Sequence, residues 1–250
     1  MNVSLYQAAS ALNANARWQE VISQNMASSS IPGFKKQDLS FQAIQAGLLS
    51  PTNASRATAQ PISMPTVRGH MNFAPGEIKR TDVNTDFAIE GSGFFEVQLP
   101  NGNTAYTRDG EFKINSQGQL VTKQGYLVMG EGGSIQLDSN HSTAINVADD
   151  GTISQGSERR GKIHLVEFND PNLLKDIGGG MFLARDPNIQ QSVDTSSRLQ
   201  QGFLEGANTT PVLEMANLIN VMRAYEANQR VVQMQDERMG RAISELGNPS

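Results

Sequence analysis

The side chains available for acid–base or metal chemistry in this 250-residue chain are sparse, and their spacing is unhelpful. Its three histidines, His70, His141 and His164, stand singly among polar residues, without the close spacing of metal ligands. There is no cysteine, which removes a thiol nucleophile, a Cys-ligated zinc site and a disulfide framework. Gly91-Ser92-Gly93 and Gly130-Glu131-Gly132-Gly133-Ser134 are rich enough in glycine to cradle a phosphate. Neither has the G-x-G-x-x-G order before a helix or a following Lys-Ser/Thr pair, so both read as turns. Asp149-Asp150-Gly151 is too short for a calcium loop, which needs acids at alternate positions and a closing Glu; it reads as a hairpin turn. Arg159-Arg160-Gly161-Lys162 could touch an anion, with a solvated turn as the plainer reading. Glu90, Glu96 and Glu111 are the acids nearest the strand-like core, but glycoside hydrolysis needs two carboxylates at a defined separation, and nothing here selects a pair. No Ser-His-Asp constellation can be assembled. The expectation is a protein that is not an enzyme, with no catalytic, cofactor-binding or metal-binding residue and no cofactor.

The elements that would have to position any chemistry point elsewhere. Net charge is −5 with a pI near 5.3, which argues against nucleic acid as a partner. No stretch approaches the ~18 apolar residues needed for membrane insertion. Met1 to Gln24 lacks a basic n-region and an apolar h-region, so no Sec-type signal peptide is expected.

Residues 1–28 read as a helix, with Leu5, Ala8, Leu12, Ala16, Ile22 and Met26 spaced by threes and fours apart from one polar interruption near Gln19. Trp18 reads as an interhelical packing residue. Ser28-Ser29-Ser30-Ile31-Pro32-Gly33 should stop the helix. Residues 34–85 show little periodicity and carry prolines at 51, 61, 65 and 75, the texture of a connector ordered on a partner. From 86 to 205, short apolar runs alternate with Asn-Gly and Asp-Gly turns, which predicts an antiparallel β domain. Residues 211–246 read as a longer helix with the stripe Met215, Leu218, Met222, Tyr225, Val232, Met239, Ile243 and Leu246. Steps of three and four over about five heptads favour a coiled-coil seam. Pro211 fits its first turn, and Gly247-Asn248-Pro249 ends it.

The expected fold class is α+β: terminal helices pairing as a coiled coil, a central antiparallel β domain and an extended connector. The expected domains are 1–30, the N-terminal helix of that core; 31–85, the connector; 86–205, the β domain; and 206–250, the C-terminal helix. At ~1.5 Å per residue the helices span roughly 40 and 54 Å. A two-helix pair still leaves apolar surface bare on both, and isolated helices are marginal in water. Such ends are expected to be disordered alone and to order against copies of themselves or close relatives. The expected self-assembly residues are Leu5, Leu12, Trp18, Ile22, Asn25 and Met26, with Met215, Leu218, Met222, Tyr225, Asn228, Val232, Met239 and Ile243. Asn15, Asn25 and Asn228 lie near the seams, either fixing register or serving as solvated helix positions or caps.

Five spaced motifs carry a resemblance. Gln24-Asn25-Met26-Ala27 leads to Ile31-Pro32-Gly33-Phe34-Lys35; Asp86-Phe87-Ala88-Ile89 leads to Gly91-x-Gly93-Phe94-Phe95. Tyr106-Thr107-Arg108-Asp109-Gly110-Glu111-Phe112 and Gly118-Gln119-Leu120-Val121 continue the second. Gln201-Gly202-x-x-Glu205-Gly206-Ala207-Asn208 precedes the last helix, which carries Glu214-Met215, Leu218-Ile219 and Arg223-Ala224-Tyr225-Glu226-Ala227-Asn228. In this order the chain resembles the bacterial flagellar axial proteins of the rod and hook. Met26 and Ser28 stand where the family usually has Leu and Asn, and Ala207 where it has Ser. Chain length and the step from Tyr126–Met129 into Gly130–Ile135 look more like a proximal than a distal rod subunit.

The resemblance implies a structural subunit of the flagellar basal-body rod, where the rod crosses the periplasm. It would polymerise helically through its terminal helices, transmit torque and enclose the export channel. Implied partners are copies of itself, other rod and hook axial proteins, and the flagellar type III export apparatus. The alternatives are a distal-rod or hook-type subunit and a non-enzymatic assembly or binding module.

Overall fold

The computed structural model describes residues 3–49, 60–138 and 145–247, and side chains over 5–43, 66–138 and 145–245. Pro51, His141, Leu246 and the Asn248-Pro249 stop lie outside the residues or side chains described. The fold is α+β, with a mainly β middle between helix α1, Val3–Ser28, and helix α2, Pro211–Gly247. The chain divides into two compact units. One comprises 1–26, 37–70 and 211–250, and the other 27–36 and 71–210.

In the first unit, α1 has only Arg17 and Glu20 as charged residues among its Ala, Gln and Asn, so little opposes helix formation. Its end is a turn in which Ile31 N–H donates to the Ser28 carbonyl at 3.0 Å. Within the stretch read as an extended connector, Gln37–Leu49 and Gln60–Met71 pair with each other as a two-stranded sheet. Its prolines and weak periodicity do not announce these strands. Prolines such as Pro61 and Pro65 are compatible with such a sheet, since each strand has one side outside the shared ladder.

The second unit is built on a ten-stranded antiparallel sheet. Its main path runs Lys175–Gly178, Met181–Leu183, Thr104–Thr107, Phe94–Gln98, Leu127–Gly130, Leu120–Thr122 and Phe112–Ile114. Phe94–Gln98 also takes Leu165–Phe168 as a neighbour. Expected turns close several of the hairpins, whereas Asp109-Gly110 links Thr104–Thr107 to Phe112–Ile114, which are not neighbours in the sheet. At Asn101-Gly102, Gly102 supplies a φ of +80°, and Asn101 Oδ1 accepts the Asn103 N–H at 3.0 Å. Smaller sheets pair Phe87–Glu90 with Arg198–Gln201, and Ile78–Arg80 with Phe203–Glu205.

The strands alternate between two cores. Phe95, Ala105, Leu165 and Leu183 belong to one apolar cluster, while their chain neighbours Phe94, Tyr106, Val166 and Phe182 belong to the other. Successive side chains point to opposite faces of a strand, so a pair such as Phe94-Phe95 marks a sheet buried on both faces. The second cluster is largely aromatic: Phe94 meets Phe73, Phe168 and Phe182 at centroid distances of 5.8, 5.6 and 6.1 Å.

Candidate functional site

Both terminal helices are helices of the expected extent, and each shelters one face. On α1 the covered or half-covered positions include Ala8, Ala11, Asn15, Trp18, Ile22 and Asn25. On α2 they include Glu214, Leu218, Val221, Tyr225, Asn228, Val232 and Gln235. Both series step by three and four with a seven-residue repeat. Ile22 is 2 % and Val221 0 % exposed, so part of each stripe finds cover within a single chain.

The face differs in detail from the stripe read in the sequence. Leu218, Tyr225, Asn228 and Val232 lie on the sheltered side, whereas Met215 (56 % exposed), Met222, Met239 and Ile243 are exposed. Leu5, Leu12, Trp18 and Met26 are half-buried. Met215 and Met222 join Val212 and Ile219 in a second, exposed apolar face on the first half of α2. At 3.6 residues per turn it lies roughly 110–130° around the helix from the sheltered one. The sequence reading missed Glu214 and Val221 because the apolar Met215 and Met222 stand one position further on with the same period. Periodicity fixes the repeat but not which of two adjacent apolar rows is covered.

Asn25 is buried and is neither a solvated position nor a plain register residue. Its Nδ2 donates to the Gln37 carbonyl and its Oδ1 accepts the Gln37 N–H, both at 2.9 Å. The side-chain amide thus imitates a strand partner and pins the start of Gln37–Leu49 beside the last turn of α1. Trp18 packs edge-on against Phe41 at 5.2 Å.

The motif residues that looked unremarkable meet in the β unit. Lys35 is fully buried. Its ammonium donates to Glu205 Oε1 at 2.5 Å and to the Ala74 carbonyl at 2.9 Å. The Gly76 N–H donates to the same carboxylate oxygen at 2.8 Å, and Arg108 Nη1 lies 3.5 Å from Glu205 Oε2. Arg108 also donates to the Gly91 carbonyl at 2.7 Å and lies 4.9 Å from the Phe94 ring centre. Gly33 rests on the Arg108 backbone with φ +65°, where an added Cβ would come within 2.3 Å of the Arg108 carbonyl carbon. Asn208 Oδ1 accepts the Lys36 N–H, and its Nδ2 donates to the Asn72 carbonyl, both at 2.7 Å. Burial pulls the Lys35 ammonium and the Arg108 guanidinium below their usual ranges, and the Glu205 charge opposes this for both. The signal for this cluster was present in the sequence as charged residues inside three motifs, without a distance to join them.

The polar groups weighed for chemistry are engaged separately. His164 Nδ1 lies 2.5 Å from Glu96 Oε2, Glu90 accepts from Gln200, and Lys123 donates to Glu111 at 3.2 Å. The basic Arg159–Lys162 run lies in strand Glu158–Lys162 and not in a turn: Arg160 pairs with Glu158 at 3.0 Å, and Lys162 with Glu131 at 2.7 Å. Asp150 binds the Thr152 N–H in the expected hairpin turn. Burial pushes Asp109 up to about 6, and burial with the Glu96 charge pushes Tyr106 up to about 12. Among the described residues no group of three or more His, Asp or Glu side chains is placed to hold a metal ion. None of the described helices is long and apolar enough to cross a membrane.

Comparison with known proteins decides the family. The chain is 34 % identical over 259 aligned residues to the flagellar basal-body rod protein FlgG of Buchnera aphidicola subsp. Acyrthosiphon pisum, covering 94 % of this chain and 96 % of the relative. This chain belongs to the flagellar basal-body rod protein family. It is similarly related to the FlgF rod protein of Caulobacter vibrioides, at 32 % identity with 99 % of each chain covered. Identity to the FlgF rod protein of Mesorhizobium japonicum is 33 %, with each chain covered in full. Residues 88–155 match the family described as flagellar hook protein FlgE/F/G D1 domain. Residues 200–245 match the one described as flagellar basal body rod FlgEFG protein C-terminal. The rod-family match at 200–245 spans Glu205, Asn208 and the first half of α2, and so contains both the buried ion cluster's carboxylate and the bare apolar face.

Proposed function

We propose that this chain is a structural subunit of the flagellar basal-body rod that self-assembles through its terminal helices. α1 and α2 pair as a coiled coil along the two sheltered seven-residue repeats, and the second apolar face of α2 receives another subunit. In this reading that face meets a different surface of the next subunit, a heterologous contact that can repeat as a helix. The working division is helical core from 1–30 and 206–250, connector from 31–85 and outer β domain from 86–205. In the assembled rod, crossing the periplasm, the helices enclose the export channel and the subunits transmit torque. The partners are further copies, other rod and hook axial proteins, and the type III export apparatus that delivers the chain. A proximal position follows the Tyr126–Ile135 segment and the chain length; a distal-rod or hook-type position is the second reading.

The observation that carries this reading is the bare face Val212, Met215, Ile219 and Met222, set against a face already covered in the same helix. Sedimentation of the full chain over a range of concentrations tests it. Wild type should form large assemblies, while Ile219→Glu should stay monomeric with unchanged circular dichroism. Assembly of the Ile219→Glu, Met222→Glu double variant at the wild-type concentration would overturn the reading.

A further inference from the structure

The chain has ten methionines, and four of them stand exposed on one helix: Met215, Met222, Met234 and Met239, each 45–56 % exposed. Elsewhere among the described side chains, Met181 is 9 % exposed and Met26, Met71 and Met129 are half-buried. Other apolar residues on α2, such as Val212, Ile219 and Ile243, would supply comparable contact area without oxidisable sulfur. A thioether is a soft nucleophile, and its oxidation rate follows its exposure.

We propose that these four thioethers form a redox modification site, at which a peroxide-class oxidant switches off self-association of the free subunit. In each step the sulfur lone pair attacks one peroxide oxygen and the O–O bond breaks. The thioether becomes a sulfoxide, losing two electrons, and hydrogen peroxide is reduced to water. No carbon–sulfur bond is broken. The sulfoxide turns a flexible apolar tip into a strong hydrogen-bond acceptor. Met215 and Met222 lie on the bare apolar face, and Met239 continues the sheltered repeat four residues beyond Gln235. A partner covering those positions would bury an acceptor it was not built to satisfy. Once assembled, covered sulfurs would be shielded, so the sensitive form is the unassembled chain. This rests on the assembly reading above.

The test uses the full chain and hydrogen peroxide. Peptide mass spectrometry should show Met215, Met222, Met234 and Met239 gaining one oxygen first and Met181 last, with helicity retained. The fourfold oxidised chain should need at least tenfold higher concentration to associate, and methionine sulfoxide reductases should restore it. A variant with all four replaced by Leu should associate and ignore peroxide. The proposal is overturned if Met181 oxidises as fast as the α2 residues. It is also overturned if the oxidised chain associates normally, or if the Leu variant remains equally peroxide-sensitive. Failure of the untreated chain to associate would overturn the assembly reading together with the switch. An associating chain indifferent to peroxide would overturn the switch alone.

Discussion

Removing the carboxylate of Glu205 should harm the fold more than removing the ammonium of Lys35, although the two form one ion pair. The reason is the charge count around them. Glu205 stands between two cations, Lys35 at 2.5 Å and Arg108 at 3.5 Å, and it also accepts the Gly76 N–H. Glu205→Gln keeps the shape and an acceptor oxygen but leaves two buried cations facing each other, with only the Asp194 charge nearby on the Arg108 side. Leaving a buried charge unpaired costs about 3–5 kcal/mol. Lys35→Met leaves Glu205 with Arg108 and the Gly76 N–H. The Ala74 carbonyl that Lys35 loses still accepts from Asn208 Nδ2 at 3.1 Å. The second cost should be about 1–3 kcal/mol, a polar-group loss in place of an orphaned charge. Urea unfolding of the full chain followed by circular dichroism measures both. The reasoning is refuted if Lys35→Met is the more destabilising of the two. It is equally refuted if Glu205→Gln falls within about 0.5 kcal/mol of wild type, the range of ordinary surface substitutions.

Asn25→Leu should cost about 1–3 kcal/mol by stranding both backbone groups of Gln37, and hydrogen exchange should speed first at the Gln37 amide. Asp109 makes stability pH-dependent. Its folded value of about 6, against an ordinary 3.8, means the native state keeps a proton that the unfolded chain releases, so stability falls as pH rises from about 4 to 6 and then levels off. The upward shift of the Asp109 carboxyl corresponds to about 3 kcal/mol of stability lost by pH 7, and thermal unfolding of Asp109→Asn across this range should show a reduced slope and a stabilised neutral-pH protein. Gly33→Ala should lose about 1–3 kcal/mol to its left-handed backbone alone, before its overlap with the Arg108 carbonyl; a melting temperature equal to wild type would contradict the close approach.

The amino-acid order alone determined the elements and their kind. A charge-poor, Ala- and Gln-rich N-terminal end and a C-terminal end of mixed charge, both with apolar residues every third and fourth position, can bury a stripe only as helices. Doublets such as Phe94-Phe95, cut by Asn-Gly and Asp-Gly turns, can satisfy their backbone only as short paired strands. The motif series was enough to name the rod and hook axial family, because those residues carry their identity without their partners. Tertiary structure alone decided which row of α2 is covered, since Leu218 belongs equally well to a seam with Met215 and Met222 or to one with Glu214 and Val221. It also decided that Asn25 serves a strand, and that Gln37–Leu49 and Gln60–Met71 pair despite their weak local signal. Above all it decided that Lys35, Arg108 and Glu205 are one buried cluster. Lys35 and Glu205 are 170 residues apart in the chain, and charge attraction has no period along a sequence: it acts through distance, which exists only once the chain has folded.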